Sequence, residues 1–171
     1  TNWNKSVDCF DASTGDLLWS GRDSVVKKID GSFPCGVACS KNGLVVASAV
    51  GGDTIKLWNS TDGKLIRVLD GYGHPVSAVD FSPTEDIIAG TGMDRSINIW
   101  NSKTGRLIHS LQGEKTRRFT VRFSPDGKRL ACGADNVIEL WDWKTGTMVV
   151  VLQGHADQVR DLAFSPDGSR L

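Results

Sequence analysis

The chain predicts an all-β fold, a β-propeller of four-stranded antiparallel blades, on two observations. Trp58, Trp100 and Trp141 stand 42 and 41 residues apart, and Phe81, Phe123 and Phe164, each followed by Ser-Pro, repeat the same two intervals. Between these marks, short runs alternate apolar and polar residues and are separated by Gly, Pro, Asp and Asn, the pattern of strands joined by tight turns. The clearest copies are GKLIRVLDGYGHPVSAVDFSPTEDIIAGTGMDRSINIWN from Gly63 and GRLIHSLQGEKTRRFTVRFSPDGKRLACGADNVIELWD from Gly105. A repeat of about 40 residues with four strands is one propeller blade.

Each blade reads as strands a to d from ring centre to rim. In the third blade, strand a is VSAVDFS from Val76, b is IIAGTG from Ile87, c is SINIWN from Ser96 and d is RLIHSL from Arg106. Pro83, Pro125 and Pro166 end strand a, because proline cannot donate to a ladder. Asp62-Gly63, Thr104-Gly105 and Thr145-Gly146 join c to d, where glycine suits the positive φ of a hairpin. On strand c, Ile97 and Ile99 point one way and Asn98 and Trp100 the other. The run TMVVVL from Thr147 suits a buried strand.

The expected spans are strands c and d of blade I within 6–20, blade II at 34–69, blade III at 76–111, blade IV at 118–152 and the start of blade V at 159–171. That makes three complete blades plus two half-blades, and reads as a piece of a longer protein. The half-blades complement each other. Paired within one chain they close a four-bladed ring; paired between two chains they give a homodimeric ring of about eight blades, the preferred alternative. GRDSVVKKIDG from Gly21 is an insertion that makes a longer d–a loop or an extended strand d, as a tolerated surface insertion or a binding loop.

Bulk numbers exclude several classes. Lys+Arg 20 against Asp+Glu 20 leaves the 171-residue chain without net charge, and 39% hydrophobic residues is ordinary for a soluble domain. Nothing shows the basic bias of a nucleic-acid binder, and no apolar run approaches the ~18 residues of a membrane span. Cys9, Cys35, Cys39 and Cys132 lack CxxC spacing and read as small core hydrophobes in a reducing compartment, with the cytoplasm favoured. His74, His109 and His155 are the histidines, and HExxH, GxSxG and GxxxxGK[ST] are absent. No enzyme, catalytic residue, metal site or cofactor is expected.

IKLWN, INIWN, IELWD, the FSPDG turns and LQGH ending at His155 resemble the WD-repeat propeller family from Leu44 onward. The resemblance implies a non-catalytic interaction scaffold that binds a protein or peptide on the face built from d–a and b–c loops. On that face it would place Tyr72, His74, Met93 and Arg95. From the charged EKTRR stretch and the last loop it adds Lys115, Arg117, Arg118 and Asp157. The family also links a d–a loop His, a strand-b Ser or Thr, a b–c turn Asp and the strand-c Trp by hydrogen bonds, since a buried indole N–H needs a partner.

Carried over, those structural roles fall on Ser48, Trp58, Asp94, Trp100, Asp135, Trp141 and His155. Tyr72 and Glu114 stand where His155 does, with His74 as a displaced substitute. Gly90 and Cys132 replace the hydroxyl of Ser48, and Gly52 replaces the turn Asp, with Asp53 one place late. No blade holds the full set, so stability is expected to rest on strand pairing and burial. CFDASTGDLLW, Cys9 to Trp19, resembles the tryptophan-docking motif of quinoprotein propellers, which oxidise alcohols or sugars with pyrroloquinoline quinone. The alternatives are therefore a quinoprotein-type enzyme fragment, a self-assembling structural piece, or, for this motif alone, a simple c–d hairpin.

Overall fold

A computed structural model describes residues 6–22, 36–49, 53–70, 73–113 and 117–171. Those residues form antiparallel sheets and no helix. Blade I holds β1 (Ser6–Phe10) and β2 (Leu17–Arg22), paired only with each other. Blade II holds β3 (Val37–Cys39), β4 (Val45–Ser48), β5 (Ile55–Asn59) and β6 (Leu65–Leu69). Blade III holds β7 (Val76–Phe81), β8 (Ile87–Gly92), β9 (Ser96–Asn101) and β10 (Leu107–Gln112). Blade IV holds β11 (Arg118–Phe123), β12 (Arg129–Ala134), β13 (Val137–Asp142) and β14 (Thr147–Gln153). In each complete blade the strands pair in sequence order, so every connection is a hairpin.

The a–b turn recurs in three blades with the same chemistry. Ser40, Ser124 and Ser165 each donate a hydroxyl to the acceptor two residues on, Asn42 at 2.8 Å, Asp126 at 2.6 Å and Asp167 at 2.6 Å. Each serine oxygen then accepts the backbone N–H that restarts the chain, from Val45, Arg129 and Arg170. At the same end of the blades, Asp11, Asn101 and Asp142 cap the c–d turns by accepting the N–H groups two and three residues later.

The core lies between the blades. Strand c decides this, because its two faces bury against different neighbours. Ile97 and Ile99 pack with Val121, Phe123 and Leu130 of blade IV, while Trp100 packs with Ile55, Leu57 and Leu69 of blade II. Trp58 meets Val7 and Trp19 of blade I by the same logic. Each fully buried Leu or Ile contributes ~1.5–3 kcal/mol, which makes these seams the main cohesion of the stack.

Trp19 docks between blades. Its Nε1–H donates to the Ser60 carbonyl at 2.6 Å, and its ring covers Gly63. A Cβ at Gly63 would meet that ring at 2.8 Å, and its φ of +67° independently favours glycine.

Four expectations need correction. TMVVVL is not buried: β14 is a rim strand, with Met148 40% and Val149 49% exposed, because strand d has a sheet neighbour on one side only. Its Leu152 is 38% exposed, where Leu69 and Leu111 in the same register are covered by the next blade. Val159–Ser165 forms no strand, since no sheet partner is present to complete its ladder. It still docks: Val159 N–H donates to the Asp135 carbonyl at 2.7 Å, and Val159, Leu162 and Phe164 pack on Ala131 and Ile138. It follows that β1 and β2 do not pair with it, so the four-bladed closure within one chain is not formed. Cys39 is exposed rather than core, at the end of a three-residue strand, whereas Cys132 is buried. Cys35 and nearly all of the Gly21–Gly31 insertion lie outside the described residues.

Candidate interaction surface

One end of the blades carries the b–c turns and d–a loops. Strand hydrogen bonding fixes the start and finish of each loop, so the scaffold sets where its side chains project. His74, Arg95, Arg117 and Asp157 are exposed there, and Met93 is half-buried. Tyr72 and Lys115 lie outside the described residues. Neither the Arg95 nor the Arg117 guanidinium has a hydrogen-bond or ion-pair partner among the described residues. Arg95 sits at φ +67°, unusual for a residue with a Cβ.

Arg118 is not part of this surface. It opens β11 and is fully buried. Its Nη2 pairs with Glu139 Oε2 at 2.8 Å, with side-chain exposures of 0% and 3%. Its Nη1 donates to the Arg95 carbonyl across the seam between blades III and IV. Gly113 makes the room, because a Cβ there would collide with the guanidinium and stand 2.9 Å from Glu139 Oε2. Contiguous charge in EKTRR suggests one solvated loop. The signal that separates Arg118 from Arg117 is Glu139, an acid flanked by Ile138 and Leu140 in the middle of the strand VIELWD, together with the glycine five residues before Arg118.

The expected polar network is present in pieces. Ser48, Gly90 and Cys132 occupy one strand-b position, opposite Lys56, Asn98 and Glu139 on strand c. In blade II the Trp58 Nε1–H donates to Ser48 Oγ at 2.8 Å. In blade IV the Trp141 Nε1–H reaches Glu139 Oε2 at 3.3 Å instead. Trp100 is buried in the seam with blade II.

Asp94 is spent on its own turn, accepting the N–H and hydroxyl of Ser96 at 3.2 and 2.5 Å. Asp135 takes φ +45° and offers its carbonyl to Val159. His155 is exposed. Burial pushes the Cys132 thiol far above its ordinary range, so it stays protonated beside the Arg118–Glu139 pair.

Two further features frame the site. On β7 the Asp80 carboxylate accepts the Phe123 N–H at 2.7 Å, a bond between blades; burial raises its pKa against that bond and the nearby Arg122. At the opposite end, a cleft of about 450 Å³ runs between the a–b turns of blades II and III, lined by Ser40, Asn42, Pro83 and Asp86. No group of three potential metal ligands and no helix able to cross a membrane occurs among the described residues.

Hairpin-linked four-stranded blades with interblade cores define a β-propeller scaffold. The WD domain, G-beta repeat family matches at residues 63–101, 105–142 and 146–171, and the chain belongs to that family. Periodic tryptophan protein 2 homolog of Mus musculus is 28% identical over 99 residues, 58% of this chain and 11% of that protein. Nuclear distribution protein nudF 2 of Aspergillus clavatus is 37% identical over 81 residues, 46% of this chain and 18% of that protein. Nuclear distribution protein nudF of Aspergillus oryzae is 30% identical over 92 residues, 52% of this chain and 19% of that protein. The chain thus spans less than a fifth of the length of these relatives. Chains of this family serve broadly as protein-interaction scaffolds.

Proposed function

We propose that this chain is a non-catalytic part of a longer propeller protein, and that its partner, a protein or peptide, docks on the face bearing Arg95 and Arg117. One observation carries the reading. These two guanidinium groups are exposed and have no partner among the described residues; the Arg95 carbonyl accepts the Gly113 N–H, and Arg117 directly precedes β11. Arginine is enriched at interface centres, and fixed display lowers the ordering cost of binding. His74, Met93 and Asp157 extend the same face. The test compares wild type with Arg95→Glu/Arg117→Glu in quantitative pull-downs from matched lysate. Partners lost by the variant at an unchanged melting temperature support the reading; equal recovery of every partner removes it.

A homodimer is a second reading, favoured by Phe10, which is 57% exposed in the register where Trp58, Trp100 and Trp141 are covered by the preceding blade. A second copy would cover it by setting blade I beside residues 159–171. Light scattering decides between one and two chains per particle.

A further inference from the structure

We propose that the buried Arg118–Glu139 pair is a positioning device. From beneath the surface it holds the blade III turn that displays Arg95 in register with the blade IV loop that displays Arg117. The inference rests on the reading of that face as the partner site.

The guanidinium fork spans two blades. One nitrogen is fixed by Glu139 within blade IV, and the other donates to the Arg95 carbonyl of blade III. The same carbonyl accepts the Gly113 N–H at 3.4 Å, so strand d of blade III is tied to the same point. Arg95 has the left-handed φ that a side chain resists, and surrounding contacts must impose it. Arg118 provides such a contact.

Stability alone does not account for the pair. A buried ion pair is often matched or bettered by apolar residues of similar volume, and the Arg118 Nε is buried without a partner. Nor is the pair required to satisfy an indole, since Ser48 does that for Trp58 with one hydroxyl. What an apolar pair could not supply is a donor aimed at the Arg95 carbonyl. A lysine would offer a point charge without the planar fork that reaches two acceptors.

Limited trypsinolysis of the whole chain tests this. The measured quantity is the initial cleavage rate after Arg95 divided by that after Lys103, in the turn at the opposite end of the same blade. Global loosening raises both rates; loss of positioning raises the ratio. In Arg118→Met/Glu139→Leu the ratio should rise about tenfold while the melting transition stays cooperative. Glu139→Gln, which keeps the shape and weakens the grip on Arg118, should raise it about threefold and serves if the double variant does not fold. An unchanged ratio in the folded double variant, or in Glu139→Gln where only that variant folds, overturns the proposal. The readout needs no partner, so it stands or falls separately from the pull-down.

Discussion

Trp58 and Trp141 hold the same place in blades II and IV, and each must satisfy an indole N–H in a dry seam. Blade II uses a neutral hydroxyl on the adjacent strand, at 2.8 Å. Blade IV uses a carboxylate at 3.3 Å, and that charge in turn requires Arg118. The first arrangement stays inside one blade. The second reaches the Arg95 carbonyl of the blade before it. Both solve the local problem of the tryptophan, and only the charged one also fixes a surface loop. A repeat can therefore keep its fold while one copy trades a simple bond for a costlier one with wider reach.

The largest expected effect breaks the charged arrangement. Glu139→Ala leaves Arg118 buried without its counter-ion and should cost about 3–5 kcal/mol. Ser48→Ala strands only the Trp58 N–H and should cost about 1–3 kcal/mol. Urea denaturation of both variants checks the order. Equal losses would mean that water or a shifted side chain compensates at Glu139, and the two blades would no longer differ in kind.

Much of this was legible in the sequence. The tryptophan and Phe-Ser-Pro periods located the strands, and the Asp-Gly and Thr-Gly pairs located the c–d turns with their positive φ. Those signals are local, set by pleat and turn geometry. Arg118 was misplaced because its environment is assembled from Gly113, Arg95 and Glu139, which no single window contains. TMVVVL was misread because apolar composition does not reveal that strand d ends a sheet. The incomplete hydroxyl network at Gly90 and Cys132 was visible as residue types at fixed register, whereas the docking of Trp19 on Gly63 was not, because it joins two blades.

Asp80 sharpens the contrast between charged and neutral solutions. It is a half-buried acid held by a backbone N–H rather than by an arginine in contact. Burial raises its pKa in the fold above the ordinary 3.8. The protonated form is thus the favoured one, its contribution is fully present below the unfolded pKa, and it is lost as pH rises through the folded pKa. Asp80→Asn keeps an oxygen for Phe123 and removes the charge. Between pH 3.5 and pH 7 its stability relative to wild type should improve as pH rises toward the folded-state pKa and level off beyond it. A difference that is flat across that range would show that Asp80 is solvated in solution. The exposed turn acids act oppositely: serine and backbone donors lower Asp126, and hold Asp167 at about 2, so their contribution fades only as pH falls below the ordinary carboxylate range.

The smallest expected effect lies beside the charged arrangement in sequence. Arg117 and Arg118 are neighbours of the same type, one exposed and one fully buried. Arg117→Glu changes a solvated charge with no partner to lose, and should alter stability by less than about 0.5 kcal/mol. Arg118→Glu places a second carboxylate against Glu139 in a dry seam, and the variant should unfold at far lower denaturant or fail to accumulate. Parallel melts of the two variants make the comparison directly. Similar, small losses in both would mean that Arg118 can swing out to solvent, and the seam between blades III and IV would then close without its ion pair. A large loss confined to Arg118 would leave Arg117 as the residue whose replacement reports on binding alone.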